Sequence, residues 1–177
     1  MINQGFDPFR DRLSRDIRND LSESLLACLR EHRLTAAQEV ADRYLSGNPA
    51  PDYVLYINDR LDRYARFLAS VAAGSTDVIR QGFVLWDLGL FFEVHEILEQ
   101  AWLRSSGPEK LLLQALIRAA GVYVKREHGF FEGANKMAAK ALPVLEDNRQ
   151  RLAAYIDPER LLVALRSGEG RPPLLLR

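Results

Sequence analysis

Cysteine is nearly absent: Cys28 is the single thiol among 177 residues. One thiol excludes an intramolecular disulfide, and such sparing use fits a reducing cytoplasm. Cys28 lies among Leu25, Leu26 and Leu29, so it reads as an inert buried side chain and not as a nucleophile. An excess of either charge is absent too, because 24 Lys and Arg balance 24 Asp and Glu. No global basic surface therefore advertises nucleic acid or an anionic membrane. Arg10, Arg12, Arg15 and Arg18 are interleaved with Asp7, Asp11, Asp16 and Asp20, the pattern of a solvated helix face. No apolar run approaches a membrane span. The N-terminus lacks the apolar core, basic flank and cleavage site of a signal peptide, so a secretory signal is not expected. Nor is there a Gly-rich phosphate loop, a Ser-His-Asp order or a cysteine pair.

Strand patterning is missing as well, whereas Leu, Ala, Arg and Glu recur at spacings of three and four. The expected fold is all-α, a multi-helix bundle of antiparallel helix hairpins. A first helix should run from near Pro8 to about Arg33, with Leu13, Ile17, Leu21, Leu25 and Leu29 as its stripe. Thr35 can cap a second helix to about Ser46. Gly47-Asn48-Pro49-Ala50-Pro51 is the clearest loop. Asp52 is placed to cap a long helix to about Ala73, with Tyr53, Tyr56, Ile57, Tyr64, Phe67, Leu68 and Val71 inward. Gly74 and Ser75 read as a stop and a new cap. They divide a helical extension, 1–74, from a bundle core, 75–177. Further helices are expected through Val78–Trp86, Leu90–Arg104, Pro108–His128 and Glu159–Arg166. A helix from Phe130 should be kinked or divided at Pro143. The tail from Gly168 to Arg177 reads as loose or docked against a neighbour.

The informative stretch is Gly89-Leu90-Phe91-Phe92-Glu93-Val94-His95-Glu96-Ile97-Leu98-Glu99-Gln100-Ala101-Trp102. On a helical wheel Phe91, Val94, Leu98, Ala101 and Trp102 form an apolar arc, extended by Phe92 and Leu103. His95 and Glu99, four residues apart, fall inside it. Glu93 and Gln100 take the opposite, solvent side, and Glu96 lies near the boundary. An imidazole and a carboxylate in an apolar arc must be paired, hydrogen-bonded or bound to a metal.

These residues resemble the signature of the family called domain of unknown function 309. That signature runs Gly-x-Phe/Tyr-Phe/Tyr-Glu-x-His-Glu-x-Leu-Glu-x-x-Trp, met here by Gly89, Phe91, Phe92, Glu93, His95, Glu96, Leu98, Glu99 and Trp102. Leu113-Gln114-Ala115-Leu116-Ile117, Gly129 and Gly133-Ala134 extend the resemblance. Arg118 stands where the family often has Gln, and Phe130 where it often has Asn. The resemblance implies a small helical bundle, and it brings the label of a metal-dependent hydrolase that some members carry.

Two accounts of the motif stay open. His-Glu-x-x-Glu resembles the zincin motif with its second His replaced by Glu. His95 and Glu99 would then be metal ligands and Glu96 the general base, with His128, Glu132 or Glu93 completing the set for a divalent ion. Alternatively, Glu99 orients His95 in a buried hydrogen-bonded cluster that holds helices together, with no metal. Gln114, Arg118, Gly121 and Lys125 form a polar strip on an otherwise apolar helix. Facing inward, Arg118 would pair with Glu99 and supply the positive charge in place of a metal; facing outward, it is simply solvated. Phe91-Phe92-Glu93 and Phe130-Phe131-Glu132, offset by 39, suggest similar hairpin packing without a repeat array. Trp86 and Trp102 read as packing residues whose indole N–H groups need acceptors.

The favoured reading is a non-catalytic binding or interaction module. Its binding residues would be Glu93, His95, Glu99, Trp102, Gln114 and Arg118. The protein or small-molecule partner is unspecified, and a divalent metal is not favoured. Apolar faces and Leu174-Leu175-Leu176 suggest a homodimer.

Overall fold

The computed structural model describes residues 5–168 and 170–176. Residues 1–4 of the expected extension, and Glu169 and Arg177 of the expected tail, lie outside that range. The described residues form nine helices and no strand, so the chain is all-α. They divide into two compact units, Met1–Thr76 and Asp77–Arg177.

The first unit holds α1 (Arg12–Glu31), α2 (Thr35–Leu45) and α3 (Pro51–Ser70). Helix α1 begins later than Pro8 because Asp7–Arg10 close a turn, with Arg10 and Asp11 N–H donating to the Asp7 carbonyl. Asp11 is its cap, accepting from the N–H groups of Leu13 and Ser14. The buried positions of α1 are Ser14, Ile17, Leu21, Ser22, Leu25 and Cys28. Leu13 is 40% exposed and Leu29 is half-buried, so the ends of the expected stripe leave the core. A strict four-residue series drifts by about 40° per step around a helix, so Ser14 and Cys28 replace Leu13 and Leu29. Thr35 is inside α2 and Asp52 inside α3; neither caps, and Leu34 and Ala50 take those places without side-chain bonds. Cys28 is fully buried, and burial pushes its thiol up in pKa.

The second unit holds α4 (Val78–Asp87), α5 (Phe91–Arg104), α6 (Gly107–Glu127), α7 (Phe131–Asp147), α8 (Arg149–Leu152) and α9 (Pro158–Ser167). Helix α6 is central, packing against both α5 and α7, while α4 packs on α5 and α9 on α7. Asp77, and not Ser75, caps α4 by accepting from the Arg80 N–H. Pro143 lies within α7, which continues to Asp147 undivided. Within the expected tail, Pro173, Leu175 and Leu176 are held by Trp86 and Asp87. Leu175 is 1% exposed, and its N–H donates to Asp87 at 2.7 Å. Leu175 is thus used within its own unit, which removes it from the apolar grounds for a dimer.

Candidate functional site

Helix α5 is set in place by the way α4 ends. Gly89 adopts φ 70°, its N–H donates to the Trp86 carbonyl at 2.8 Å, and the Leu90 N–H donates to Leu85 at 2.9 Å. These two bonds close a Schellman motif, sealed by the fully buried pair Leu85 and Leu90. A side chain at Gly89 would strain this turn. The same device ends α6. Gly129 has φ 77°, its N–H donates to Arg126 at 3.1 Å, and the Phe130 N–H donates to Lys125 at 2.9 Å. The likeness between the two stretches is therefore real, but its register differs from the expected one. Gly129 follows Gly89 by forty residues, so Phe131 corresponds to Phe91, and Gly133 takes the place of Glu93. Counting from the paired phenylalanines misses this, because the turn glycine fixes where each helix starts.

The inward face of α5 consists of Phe91, Glu93, Val94, Ile97 and Leu98. Glu93 is only 1% exposed, which corrects its expected solvent side. Ile97, omitted from the apolar arc, lies one turn from Glu93 and brings that side of the helix inward. The cost is that His95, Glu96 and Glu99 move outward to half-buried positions. Leu103, expected to extend the arc, is 60% exposed. The second buried charge of this unit is Arg126, at 7% exposure in the last turn of α6. Its guanidinium carbon lies 5.5 Å from the Tyr123 ring centroid. Arg126 was not singled out from the sequence; its three-residue spacing from the inward Tyr123 was the available signal.

His95, Glu96 and Glu99 converge. One ligand atom from each lies within 4.8 Å of the others. His95 Nδ1 is 3.2 Å from Glu96 Oε1, with the two side chains 38% and 18% exposed. The Phe92 ring stacks beside the imidazole, 6.1 Å between centroids and 27° between planes. An ionised carboxylate only accepts, so in neutral His95 the hydrogen sits on Nδ1 and the lone pair on Nε2. Glu96 thereby orients the imidazole, the role that carboxylates play behind metal-bound histidines.

The donor set fits a divalent cation. One imidazole and two carboxylates suit zinc, manganese or iron. Bond lengths of about 2.0–2.1 Å place tetrahedral ligand atoms roughly 3.4 Å apart, so this group must contract modestly. His128 and Glu132 do not join this group; Glu132 is exposed and pairs with Lys136 at 2.6 Å.

The remaining candidates lie apart from this cluster in their contacts. Arg118 and Gln114 are half-buried, and no ion pair joins Arg118 to Glu99 among the described residues. The pairing by which Arg118 would have taken the place of a metal is thus not made among the described residues. Trp102 is half-buried, with Lys110 Nζ 4.3 Å from its ring centroid. Its indole N–H is enclosed without a hydrogen-bond partner among the described residues.

From Ile79 in α4 to Met137 in α7, the chain follows a pattern shared with other proteins. Residues 79–137 match the family described as Domain of unknown function (DUF309). The DUF309 stretch contains α5, α6, both Schellman glycines and the whole His95–Glu96–Glu99 cluster. No curated protein and no solved structure matches the chain.

Proposed function

We propose that the protein is a non-catalytic binding module that takes a divalent cation on the half-exposed side of α5. The observation that supports this reading is the convergence of His95, Glu96 and Glu99 to within 4.8 Å on two adjoining turns of one helix. His95 and Glu99 would hold the ion, and Glu96 would either orient His95 or lend it a third ligand. The half-exposed setting keeps the desolvation cost of the charges low and leaves room for water or a partner's donor in the ion's remaining positions.

A hydrolase is the weaker reading on chemical grounds. A metal-assisted hydrolysis of the zincin kind needs a carboxylate next to the metal that is not itself occupied, to take the proton of the attacking water. Glu96 is the motif residue for that task, and it is engaged with His95 Nδ1. Calorimetric titration of the purified protein with zinc and with manganese tests the reading. One ion should bind per chain, with affinity falling tenfold or more in both His95→Gln and Glu99→Gln. Absence of stoichiometric binding by the folded protein overturns it.

A further inference from the structure

The last residues of the chain are held along α4 by contacts that read backbone. Asp87 Oδ1 accepts from the Leu175 N–H at 2.7 Å, and Oδ2 accepts from the Leu176 N–H at 2.9 Å. The Trp86 indole N–H donates to the Pro173 carbonyl at 2.9 Å. Between these bonds the Leu175 side chain is 1% exposed, whereas Leu174 is 45% exposed. One carbonyl, two successive N–H groups and one apolar side chain are thus recognised together. Only one of those four features depends on residue type.

The receiving groups are rigid. Trp86 is 3% exposed, and its ring meets Phe91 at 5.2 Å and 89° and Tyr123 at 5.1 Å and 81°. Asp87 is the last residue of α4, where the helix dipole disfavours an anion. A carboxylate at that end does not help the helix; two N–H donors from an extended segment compensate it. The connector between α9 and this segment contains Gly168, at φ 70°, and Gly170, a backbone suited to release.

We propose that the Trp86–Asp87 end of α4 is a peptide-recognition site for an extended leucine-containing segment of a partner protein. Residues 172–176 fill it in cis as a built-in competitor. A short tether keeps the tail at an effective concentration on the order of millimolar, so a partner segment binds strongly only when the tail is displaced.

The test uses the full-length chain with Leu175→Asp, which takes the tail out of the apolar position, and a synthetic peptide with the sequence of residues 171–177. The readout is the NMR signal of the Trp86 indole N–H. The chain has two tryptophans, so Trp102→Phe assigns it. Saturable binding is expected, at least tenfold tighter in Leu175→Asp than in wild type. Adding Asp87→Asn, which removes the charge and leaves a single neutral acceptor for two N–H donors, should weaken it about tenfold. A folded Leu175→Asp chain with no saturable shift at millimolar peptide overturns the proposal, as does binding indifferent to Asp87→Asn. If that variant does not fold, Leu175→Ala replaces it. If neither folds, a chain ending at Arg171, which leaves the seat open, takes its place, and absence of a saturable Trp86 shift there at millimolar peptide overturns the proposal.

Discussion

In the unit of α1–α3, polar side chains near the core serve as joints; in the unit of α4–α9 they are divided between the interior and a half-open face. Tyr53 donates to Asp11 at 2.9 Å, and the same carboxylate caps α1 and takes the Ser14 hydroxyl at 2.7 Å. Tyr44 and Arg43 both meet Asp20 at 2.7 Å. Such networks tie helices together and leave little chemistry over. The second unit instead encloses Glu93 and Arg126, and it sets His95, Glu96 and Glu99 where solvent reaches them. Polar groups that join helices are structural, whereas polar groups gathered on one helix face are available to a ligand.

The largest expected effect lies in the core that supports the site. Leu98 is 1% exposed and shares a small apolar cavity with Ile79, Gly82, Phe83, Trp86, Val94 and Leu116. Leu98→Ala enlarges a space that is already imperfectly filled, so urea unfolding should show a loss of about 3 kcal/mol or more. A loss below about 1 kcal/mol would mean that α4 and α6 close onto the gap, and the contrast between a packed interior and a half-open face would weaken.

Next in size is the polar joint of the first unit. Asp11→Ala removes a helix cap and the acceptor of Tyr53, and should cost about 1–2 kcal/mol. The Ser14 hydroxyl, foremost among its hydrogen bonds, holds the Asp11 carboxyl below the usual carboxylate range. A depressed folded pKa gives stability that is present above about pH 4 and is lost as pH falls through the folded value. The Ala variant should therefore lose less stability than wild type between pH 4 and pH 2. Tyr44 behaves in the opposite sense. Burial first, and the hydrogen bond to Asp20 second, push its phenol up to about 12. Its contribution is fully present below about pH 10 and fades as pH rises from there towards 12. Ultraviolet titration of wild type against Tyr44→Phe should show one late-ionising phenol missing in the variant.

The chain's periodicity was enough to place most helices, because apolar spacing and glycine stops act locally. Caps were harder to place. Thr35, Asp52 and Ser75 are all chemically able to cap, but a cap must be the residue immediately before the first turn, and Asp11 and Asp77 hold that position. The motif residues were legible, and so was their four-residue stacking. Their facing was not, since leaving Ile97 out of the wheel turned Glu93 outward and the His-Glu cluster inward. The seat of the tail on Asp87 escaped notice because it depends on a pairing distant in sequence. Asp87 and Leu175 are separated by 88 residues.

A gain smaller than either loss is expected at Gly82, inside α4. A Cβ there would meet Leu98 at 3.4 Å, an ordinary contact, and no backbone. Gly82→Ala should raise the thermal midpoint by an amount equivalent to about 0.4–1 kcal/mol, by restricting the unfolded chain and partly filling the cavity. A fall in the midpoint would show that this interior is packed too tightly to accept one methyl group.

The smallest stability change is expected where the functional contrast is greatest. Half-exposed side chains on the outer face of a helix should be replaceable within about 0.5 kcal/mol. His95→Gln and Glu99→Gln should therefore unfold at nearly the wild-type urea midpoint in chelator, while wild type alone gains stability when zinc is added. That gain follows from binding to the folded state, about 2.7 kcal/mol at a ligand concentration one hundred times Kd. The paired measurement separates two roles that one mutation would blur. If Glu99→Gln lost 2 kcal/mol without any metal, the cluster would be a joint of the kind made by Asp11 and Asp20, and the two units would be alike. If it loses only the zinc-dependent part, the outer face of α5 is kept for a ligand and not for the fold.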